Sequence, residues 1–294
     1  MKLTAHQSDR LAALAFQWAG WLSVIVLFGI FAMLVWNGAK AFTDISLAEF
    51  FFGTVWNPAA FGEARYGILP LVASTLLVTT GAMLIAVPLG IGTAAYLAEV
   101  APPRVYNVLK PAIELLAGVP SVAIGFIGIT VVAPAIAKIF GLSNGLNALN
   151  GSVLLAVMAL PTIITVAEDA IRAVPQSFRE ASFALGANRS LTLWRVTLPA
   201  AMSGILAAVM LGLGRALGET MTVLMAAGNA SAFPSGFFAP VRTMTAAIAI
   251  ELGETAQGTT HYFSLFAVGA VLFGISLLVN ILSEKIARRF RYKI

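Results

Sequence analysis

The 294-residue sequence has no cysteine, and only 11% of its residues are charged. The lack of cysteine excludes disulfides and thiolate chemistry. Soluble domains have about 25% charged residues, so this chain has too few to cover a water-facing surface. Its two histidines, His6 and His261, are far apart, and a metal site is not expected. Hydrophobic residues make up 59% of the chain and the mean hydropathy is +0.91, which together indicate a surface covered mainly by lipid.

Six apolar segments are long enough to cross a bilayer, which takes roughly 20 residues of helix. They are Leu11–Trp36, Ile68–Leu97, Pro111–Phe140, Asn150–Ala167, Ala201–Ala227 and Tyr262–Leu282. The sequence therefore predicts an all-α, polytopic integral membrane protein with six transmembrane helices. The first segment is interpreted as a retained helix because its apolar run exceeds the roughly 7–15 residues of a signal-peptide core. Residues 1–67 are then a membrane anchor helix with an external loop, and residues 68–294 are the core.

Lysine and arginine are distributed unequally between alternate loops. Thirteen of the eighteen cations fall in loops on the side of both termini and residues 172–199, and four fall on the opposite side. Cytoplasmic loops carry the excess of Lys and Arg, so both termini and residues 172–199 are expected in the cytoplasm. The net charge of +5 follows from this topology, and nucleic-acid binding is not expected.

Two long loops fall on the opposite side of the membrane. Residues 37–67 are rich in aromatic side chains, which favours either an interfacial belt or a docking surface for an external partner. Residues 228–261 contain the apolar stretch Met244–Leu252, which is too short to cross the bilayer. It is expected either to lie in the interface or to dip into the bundle.

The polar segment 172–199 lies between the fourth and fifth spans and has the signals of a short helix. Pro175 breaks the backbone, and Ser177 stands three residues before Glu180, the spacing of a capping box. Gly186 suits the left-handed conformation that ends many helices. A second short helix is expected to follow, capped by either of two residues, Asn188 or Ser190.

The first of these short helices has little to pack against within its own chain. Its apolar side chains are Phe178, Ala181, Phe183, Ala184 and Leu185. They favour either a groove on another protein or the membrane surface, where the nearby arginines would contact phosphate headgroups. The residues alone leave both interpretations open.

The fifth span contains two charged residues, Arg215 and Glu219. They are four apart, so they are expected on one helical face and in reach of each other. A charge at the centre of a membrane helix costs roughly 2.5–3.5 kcal/mol, which indicates a specific use. Either the two form a neutralised pair that locks helix packing, or Arg215 offers its planar fork to an oxyanion and Glu219 offsets the charge.

Glu180-Ala181-Ser182, Gly186 and then Val196-x-Leu198-Pro199 resemble the EAA-x3-G-x9-I-x-L-P motif. This motif marks the permease subunits of binding-protein-dependent ABC importers. The resemblance implies a type I ABC-importer transmembrane domain whose short helix is a coupling helix, docked on a cytoplasmic ATPase subunit. The residues expected at that contact are Ser177, Glu180, Ala181, Phe183, Leu185 and Gly186.

A narrower resemblance is carried by GRALGETMTVLMAAGN, by RTMTAAIAIELGE and by the N-terminal EFFFGTVWNPAAFG. These stretches look like permeases of phosphate-specific importers, and more like the PstC type than the PstA type. The resemblance implies that Arg215, Glu219, Arg242 and Glu251 lie on the substrate pathway. It also implies a bacterial plasma (inner) membrane and three kinds of partner: a PstA-like permease, two PstB-like ATPase subunits and an external PstS-like phosphate-binding protein.

Together the two resemblances imply a permease subunit of an ATP-driven phosphate importer that works by alternating access. It has no G-x-x-x-x-G-K-[ST] phosphate loop, so no enzymatic activity and no cofactor of its own are expected, and ATP is expected on the partner ATPase. Three alternatives stay open at this point. They are a permease for another oxyanion such as molybdate or sulfate, a stand-alone ion-coupled transporter or channel, and an added signalling role.

Overall fold

The computed structural model describes residues 5–60 and 62–289, and the side chains of residues 13–60 and 62–285. The terminal cations Lys2, Arg291 and Lys293 lie outside the described residues, as do the side chains of Arg10, Arg288 and Arg289. The helices are α1 (Ala5–Ala41), α2 (Leu47–Phe52), α3 (Leu69–Glu99), α4 (Pro103–Ala117), α5 (Ser121–Ile127), α6 (Ala133–Phe140), α7 (Ala148–Arg172), α8 (Gln176–Ala184), α9 (Arg189–Thr192), α10 (Leu198–Ala200), α11 (Met202–Gly218), α12 (Met221–Ala226), α13 (Met244–Glu251) and α14 (Thr260–Arg289). Strands β1 (Trp56–Asn57) and β2 (Arg65–Tyr66) form one antiparallel hairpin. π-Helical turns at Gly128–Val132 and Leu193–Thr197 join α5 to α6 and α9 to α10.

Six spans emerge from these elements, as the apolar segments predict. Within the described ranges, five helical stretches are long and apolar enough to cross a membrane. They are Ala13–Ala41, Leu69–Glu99, Ser121–Phe140, Ala148–Arg172 and Thr260–Lys285. The sixth span is a bent pair, Arg189–Ala200 and Met202–Gly218, whose two parts meet at 70°. The all-α membrane fold is therefore confirmed.

Two predicted spans differ from the structure by about ten residues at one end or more. The third begins at Ser121 instead of Pro111, because Gly118 to Pro120 separates it from α4, which has no buried residue. Proline lacks an N–H and disfavours helix in the residue before it, so Pro120 explains the break. The fifth ends at Gly218 instead of continuing to Ala227, and Glu219 has an extended backbone (φ −69°, ψ 132°).

The core of the bundle is built from α3, α7 and α11. The side chains at its centre are small, and they include Ala82, Ala86, Ala156, Ala159 and Ala216. Gly90 of α3 and Gly212 of α11 both lie against Ile163 of α7, where a methyl group would come within 3 Å of that side chain. Small residues of this kind let membrane helices approach closely.

The N-terminal segment folds back onto the bundle. Phe50 of α2 and Trp56 of β1 are 0% and 1% exposed, and they share a core with Met244, Ala247 and Leu265. Part of this segment therefore belongs to the protein core. Neither interpretation of residues 37–67, as an interfacial belt or as a docking surface, predicts this burial. Its division from the rest of the chain at residue 67 stays a prediction. Helix α13 is buried inside the bundle, which decides between the two positions expected for residues 244–252.

Candidate functional site

The helix predicted to couple to an ATPase exists as α8, but it starts differently from the prediction. Pro175 is its N-cap, so Ser177 already lies in the first turn and no side chain caps the helix. The predicted capping box of Ser177 and Glu180 is wrong, because Pro175 is the N-cap and the helix begins two residues before the predicted start. The predicted end is confirmed, since Gly186 has a left-handed backbone (φ +85°). Asn188 caps α9, and its side chain accepts a hydrogen bond from the Leu191 N–H at 2.8 Å.

The six residues predicted at the ATPase contact lie on α8 and its C-terminal turn. Ser177, Glu180, Ala181, Phe183, Leu185 and Gly186 are all exposed. Two large apolar side chains stand out, because Leu185 is 90% and Phe183 45% exposed. These exposed side chains are available for contact with another molecule, and that contact stays a prediction.

Helix α8 is nevertheless attached to its own chain, which corrects the prediction that it has little to pack against. Ser182 is buried and its hydroxyl is hydrogen-bonded to that of Thr192 at 2.9 Å. Arg179 binds Glu99 at the end of α3, with Nη2 2.6 Å from Oε1. Sequence reasoning missed this pair because 80 residues separate its members and no local spacing reveals it.

A second charged cluster at the same end joins α4 to α7. The buried carboxylate of Glu168 binds Lys110 of α4 and Arg172 of α7, each at 2.8 Å. The guanidinium of Arg172 also lies 4.7 Å from the centre of the Tyr106 ring. Burial lowers the pKa of Lys110, but the hydrogen bond to Glu168 and its charge outweigh this, so the pKa lies above its usual value. The four-residue spacing of Glu168 and Arg172 was the available sequence signal.

The charged pair of the fifth span is arranged differently from the prediction. Helix α11 ends at Gly218, so the turn that would place Glu219 above Arg215 is missing. Among the described residues, Arg215 forms no ion pair, and its one hydrogen bond runs from Nη1 to the Thr162 hydroxyl at 3.3 Å. Glu219 instead accepts a hydrogen bond from the Thr222 N–H at 3.3 Å. The predicted pairing is therefore wrong.

Helix α12, which follows the break, is held in the middle of the bundle by side chains of other helices. The Thr222 hydroxyl donates to the Ser121 carbonyl at 3.0 Å, and the Thr245 hydroxyl donates to the Glu219 carbonyl at 2.9 Å. At its other end, the amide of Asn150 donates to the carbonyls of Ala226 and Gly128, at 3.0 and 3.2 Å. These contacts with α5, α7 and α13 therefore hold α12, and Glu219 just before it, next to the interior of the bundle.

The arrangement gives Arg215 a chemical capacity that a paired arginine lacks. The residue is half-buried at the level of Thr162, midway along α7. A guanidinium without a carboxylate partner keeps most of its five N–H donors available, and its planar fork fits an oxyanion. The site can therefore receive a negatively charged solute without first breaking an ion pair.

The other two predicted pathway residues, Arg242 and Glu251, do form a pair, at the opposite end of the bundle from α8. Arg242 Nη1 lies 2.8 Å from Glu251 Oε1, and its Nε donates to the Asn229 carbonyl at 2.9 Å. The Trp56 indole N–H donates to both carboxylate oxygens, and His261 Nε2 lies 2.8 Å from Oε2.

These residues line a cleft of about 770 Å³ between the hairpin, the end of α13 and the start of α14. Sequence reasoning missed the contributions of Trp56 and His261. Trp56 is 195 residues from Glu251, and the ten-residue spacing of His261 follows no helical or strand period. Nothing in a single sequence distinguishes this tryptophan from the other aromatic residues of its loop.

Comparison with known proteins gives a consistent result over most of the chain. Residues 86–292 match the family described as binding-protein-dependent transport system inner membrane component. The chain is 38% identical over 272 residues to the probable ABC transporter permease protein YqgH of Bacillus subtilis (strain 168), covering 91% of this chain and 88% of that protein. It is 34% identical to the phosphate transport system permease protein PstC of Mesorhizobium japonicum, covering 93% and 86%. It is 36% identical to PstC 1 of Mycobacterium tuberculosis, covering 94% and 93%.

Solved structures give the same fold at low sequence identity. A bacterial alginate ABC transporter in complex with alginate pentasaccharide-bound periplasmic protein matches with a TM-score of 0.64 at 18% identity, covering 96% of both chains. The MetNI methionine ABC transporter, in an inward-facing conformation, matches with a TM-score of 0.61 at 20% identity, covering 76% of this chain and 96% of that one. At these identities the likeness supports the fold, which is that of a type I ABC-importer transmembrane domain.

Proposed function

The chain belongs to the family of binding-protein-dependent transport system inner membrane components, and we propose that within this family it imports inorganic phosphate as a PstC-type permease. As a member, it is a permease subunit of an ABC transporter and a polytopic membrane protein. Family membership argues against a stand-alone ion-coupled transporter or channel. An anionic substrate is supported by the site, and phosphate in particular by the named relatives.

The observation that carries the proposal is the unpaired guanidinium of Arg215 in the middle of the bundle. Within the part of the chain that the structure describes, its partner is the Thr162 hydroxyl alone. Keeping an unpaired arginine inside a membrane protein costs free energy that an anionic substrate would offset. The relatives named as phosphate transport permeases, at 34% and 36% identity, support phosphate as this anion.

The proposed pathway has two parts. The cleft bearing Arg242 and Glu251 is its outer mouth, where the arginine charge is largely neutralised by the carboxylate. An anion would therefore pass this point without being held tightly. Arg215 then provides the inner contact, with no carboxylate partner for the anion to displace.

The proposed machine is a heteromeric importer in a bacterial inner membrane, with both termini of this chain in the cytoplasm. Its other members are a PstA-like permease, two PstB-like ATPase subunits that bind the ATP, and an external PstS-like protein that delivers phosphate. The exposed surface of α8, with Phe183 and Leu185, would dock on an ATPase subunit. Closure of the ATPase pair would move α8 and switch the pathway between outward and inward access.

Uptake by reconstituted vesicles tests the substrate. The chain is co-purified with its partner subunits, placed in vesicles with internal ATP, and supplied with the binding protein and radiolabelled phosphate, sulfate or molybdate. We expect ATP-dependent accumulation of phosphate, with little competition from a tenfold excess of the other two anions. Accumulation of sulfate or molybdate but not phosphate would show that the substrate assignment is wrong while the importer function stands.

A further inference from the structure

Arg179 joins three separate parts of the chain. Its Nε and Nη2 donate to Glu99 Oε1 at the end of α3, at 2.9 and 2.6 Å. Its Nη1 donates to the Val174 carbonyl at 2.6 Å, and Nη2 also donates to the Ile171 carbonyl at 3.0 Å. One side chain of α8 therefore binds the ends of both α3 and α7.

The chemistry of these contacts makes the attachment stiff. The last carbonyls of a helix have no intrahelical partner, and a cation there also interacts favourably with the helix dipole. The Ile171 carbonyl lies in the last turn of α7, so Arg179 supplies both of these interactions. Charge-assisted hydrogen bonds are stronger than neutral ones, and a planar fork with several acceptors fixes direction as well as distance. A lysine at this position could not reproduce the fork.

The only other side-chain hydrogen bond of α8, among the described residues, is the Ser182–Thr192 bond, which leads to the bent fifth span. The two attachments therefore connect α8 to two different parts of the bundle. Ser182 connects it to the span that bears Arg215. Arg179 connects it to α3 and α7, the two helices with the most extensive mutual contact in the bundle.

Helix α7 carries the second connection to the candidate substrate site. Ile171, which Arg179 binds, and Thr162, which Arg215 binds, are nine residues apart on this helix, about 14 Å along its axis. A displacement of α8 that drew α7 with it would move Thr162 relative to Arg215. Without Arg179, α8 would be joined to α7 only through residues 173–175, and no side-chain hydrogen bond in the described structure would join it to α3.

We infer that Arg179 is a positioning residue that transmits the movement of α8 to α3 and α7, so that ATP hydrolysis is coupled to opening of the pathway. The inference rests on the proposed function, because it presupposes an ATPase that moves α8. Arg179 itself is turned away from the surface and does not belong to the exposed set predicted to touch the ATPase.

The test is the number of phosphate ions taken up per ATP hydrolysed, measured on the same vesicles of the complete complex. For Arg179→Gln we expect this ratio to fall about tenfold, as loss of a charge-assisted network implies, with ATP hydrolysis within about twofold of wild type. The matched control is Arg189→Gln, which removes the same charge from an exposed arginine of the same loop and should leave the ratio unchanged. A wild-type ratio in an assembled Arg179→Gln complex would refute the inference.

Two milder variants keep the test decisive if Arg179→Gln does not assemble. Glu99→Gln removes the charged acceptor and leaves the two carbonyl contacts, and Arg179→Lys keeps the charge and loses the fork. Both should lower the ratio by less than the full effect without changing the thermal stability of the complex by more than the Arg189→Gln control does. Wild-type ratios in both would refute the inference. Failure of the wild-type complex to take up phosphate would refute the substrate proposal instead, and the ratio would then be measured with the anion it does transport.

Discussion

The cluster in the cleft consists of Glu251 and the side chains that bind its carboxylate. We expect the free energy of unfolding to depend strongly on this carboxylate. Glu251→Ala removes the acceptor that Arg242, Trp56 and His261 share. The side chains of Glu251 and Arg242 are 10% and 21% exposed, so the arginine charge would be left largely buried. Breaking such a pair from one side costs about 3–5 kcal/mol. We expect the lower end of that range, because Arg242 keeps its bond to the Asn229 carbonyl.

Two smaller changes at the same cluster provide a graded series. Glu251→Gln keeps one acceptor oxygen but loses the charge, and should cost about 1–3 kcal/mol. Trp56→Phe keeps most of the buried ring and loses the indole N–H that donates to both oxygens of Glu251, and should cost about 1 kcal/mol. Glu254→Gln is the matched control, since this exposed acid lines the same cleft without a side-chain partner in the described structure; its effect should stay within about 0.5 kcal/mol.

The assay is equilibrium unfolding of the purified chain in mixed micelles, followed by limited proteolysis of residues 42–67. The series should rank Glu251→Ala, Glu251→Gln, Trp56→Phe and Glu254→Gln from least to most stable, and the proteolysis rate should follow the same order. If Glu251→Ala were as stable as Glu254→Gln, the cluster would not hold the N-terminal segment to the bundle. A Glu251→Gln variant of near wild-type stability that takes up no phosphate would assign the carboxylate to the pathway rather than to the fold.

Three further predictions concern Arg215 and the C-terminal end of α8. Arg215→Gln should lower phosphate uptake about tenfold or more, because it removes the charged donor. Thr162→Val removes only the 3.3 Å contact with Arg215 and should lower uptake less than about threefold. Equal uptake by wild type and Arg215→Gln would show that the role of the arginine is structural. Gly186→Ile should uncouple ATP hydrolysis from uptake, because a β-branched residue at φ +85° costs about 1–3 kcal/mol, whereas Gly186→Asn should be tolerated; a fully coupled isoleucine variant would contradict this. Leu185→Cys gives the only thiol in the chain and should react with a maleimide in the isolated permease and be protected in the ATPase complex; equal reactivity in both would place the ATPase elsewhere.

The spans could be predicted from the sequence because the length of an apolar run is a local property. The end of α8 could be predicted for the same reason, since the conformation of Gly186 depends on its own missing side chain. The start of α8 lies two residues before the predicted start, because Pro175 takes the N-cap position expected for Ser177. Local signals gave a correct stop and an incorrect start.

The geometry of the candidate site depends on contacts between distant residues, which a single sequence does not reveal. The break at Glu219 is held by the Thr245 hydroxyl, 26 residues further on. The Arg215–Glu219 spacing fits a helix that the tertiary structure interrupts, so the predicted pairing is wrong, while the place of both residues on the substrate pathway stays a prediction. The Trp56–Glu251 and Arg179–Glu99 contacts span 195 and 80 residues.

The early end of α11 has a consequence for the chain as part of an assembly. At 17 residues the helix is about 25 Å long, less than the roughly 30 Å of a bilayer's hydrocarbon core. Irregular backbone at that depth is tolerated only against protein or water, never against lipid tails. The turn at Gly218–Glu219 must therefore face protein or water, and Gly218 is exposed in the isolated chain. In the proposed importer, a second permease subunit would supply protein against this turn. Pairing of the two permeases would then shield the irregular backbone from lipid as well as complete the transport pathway.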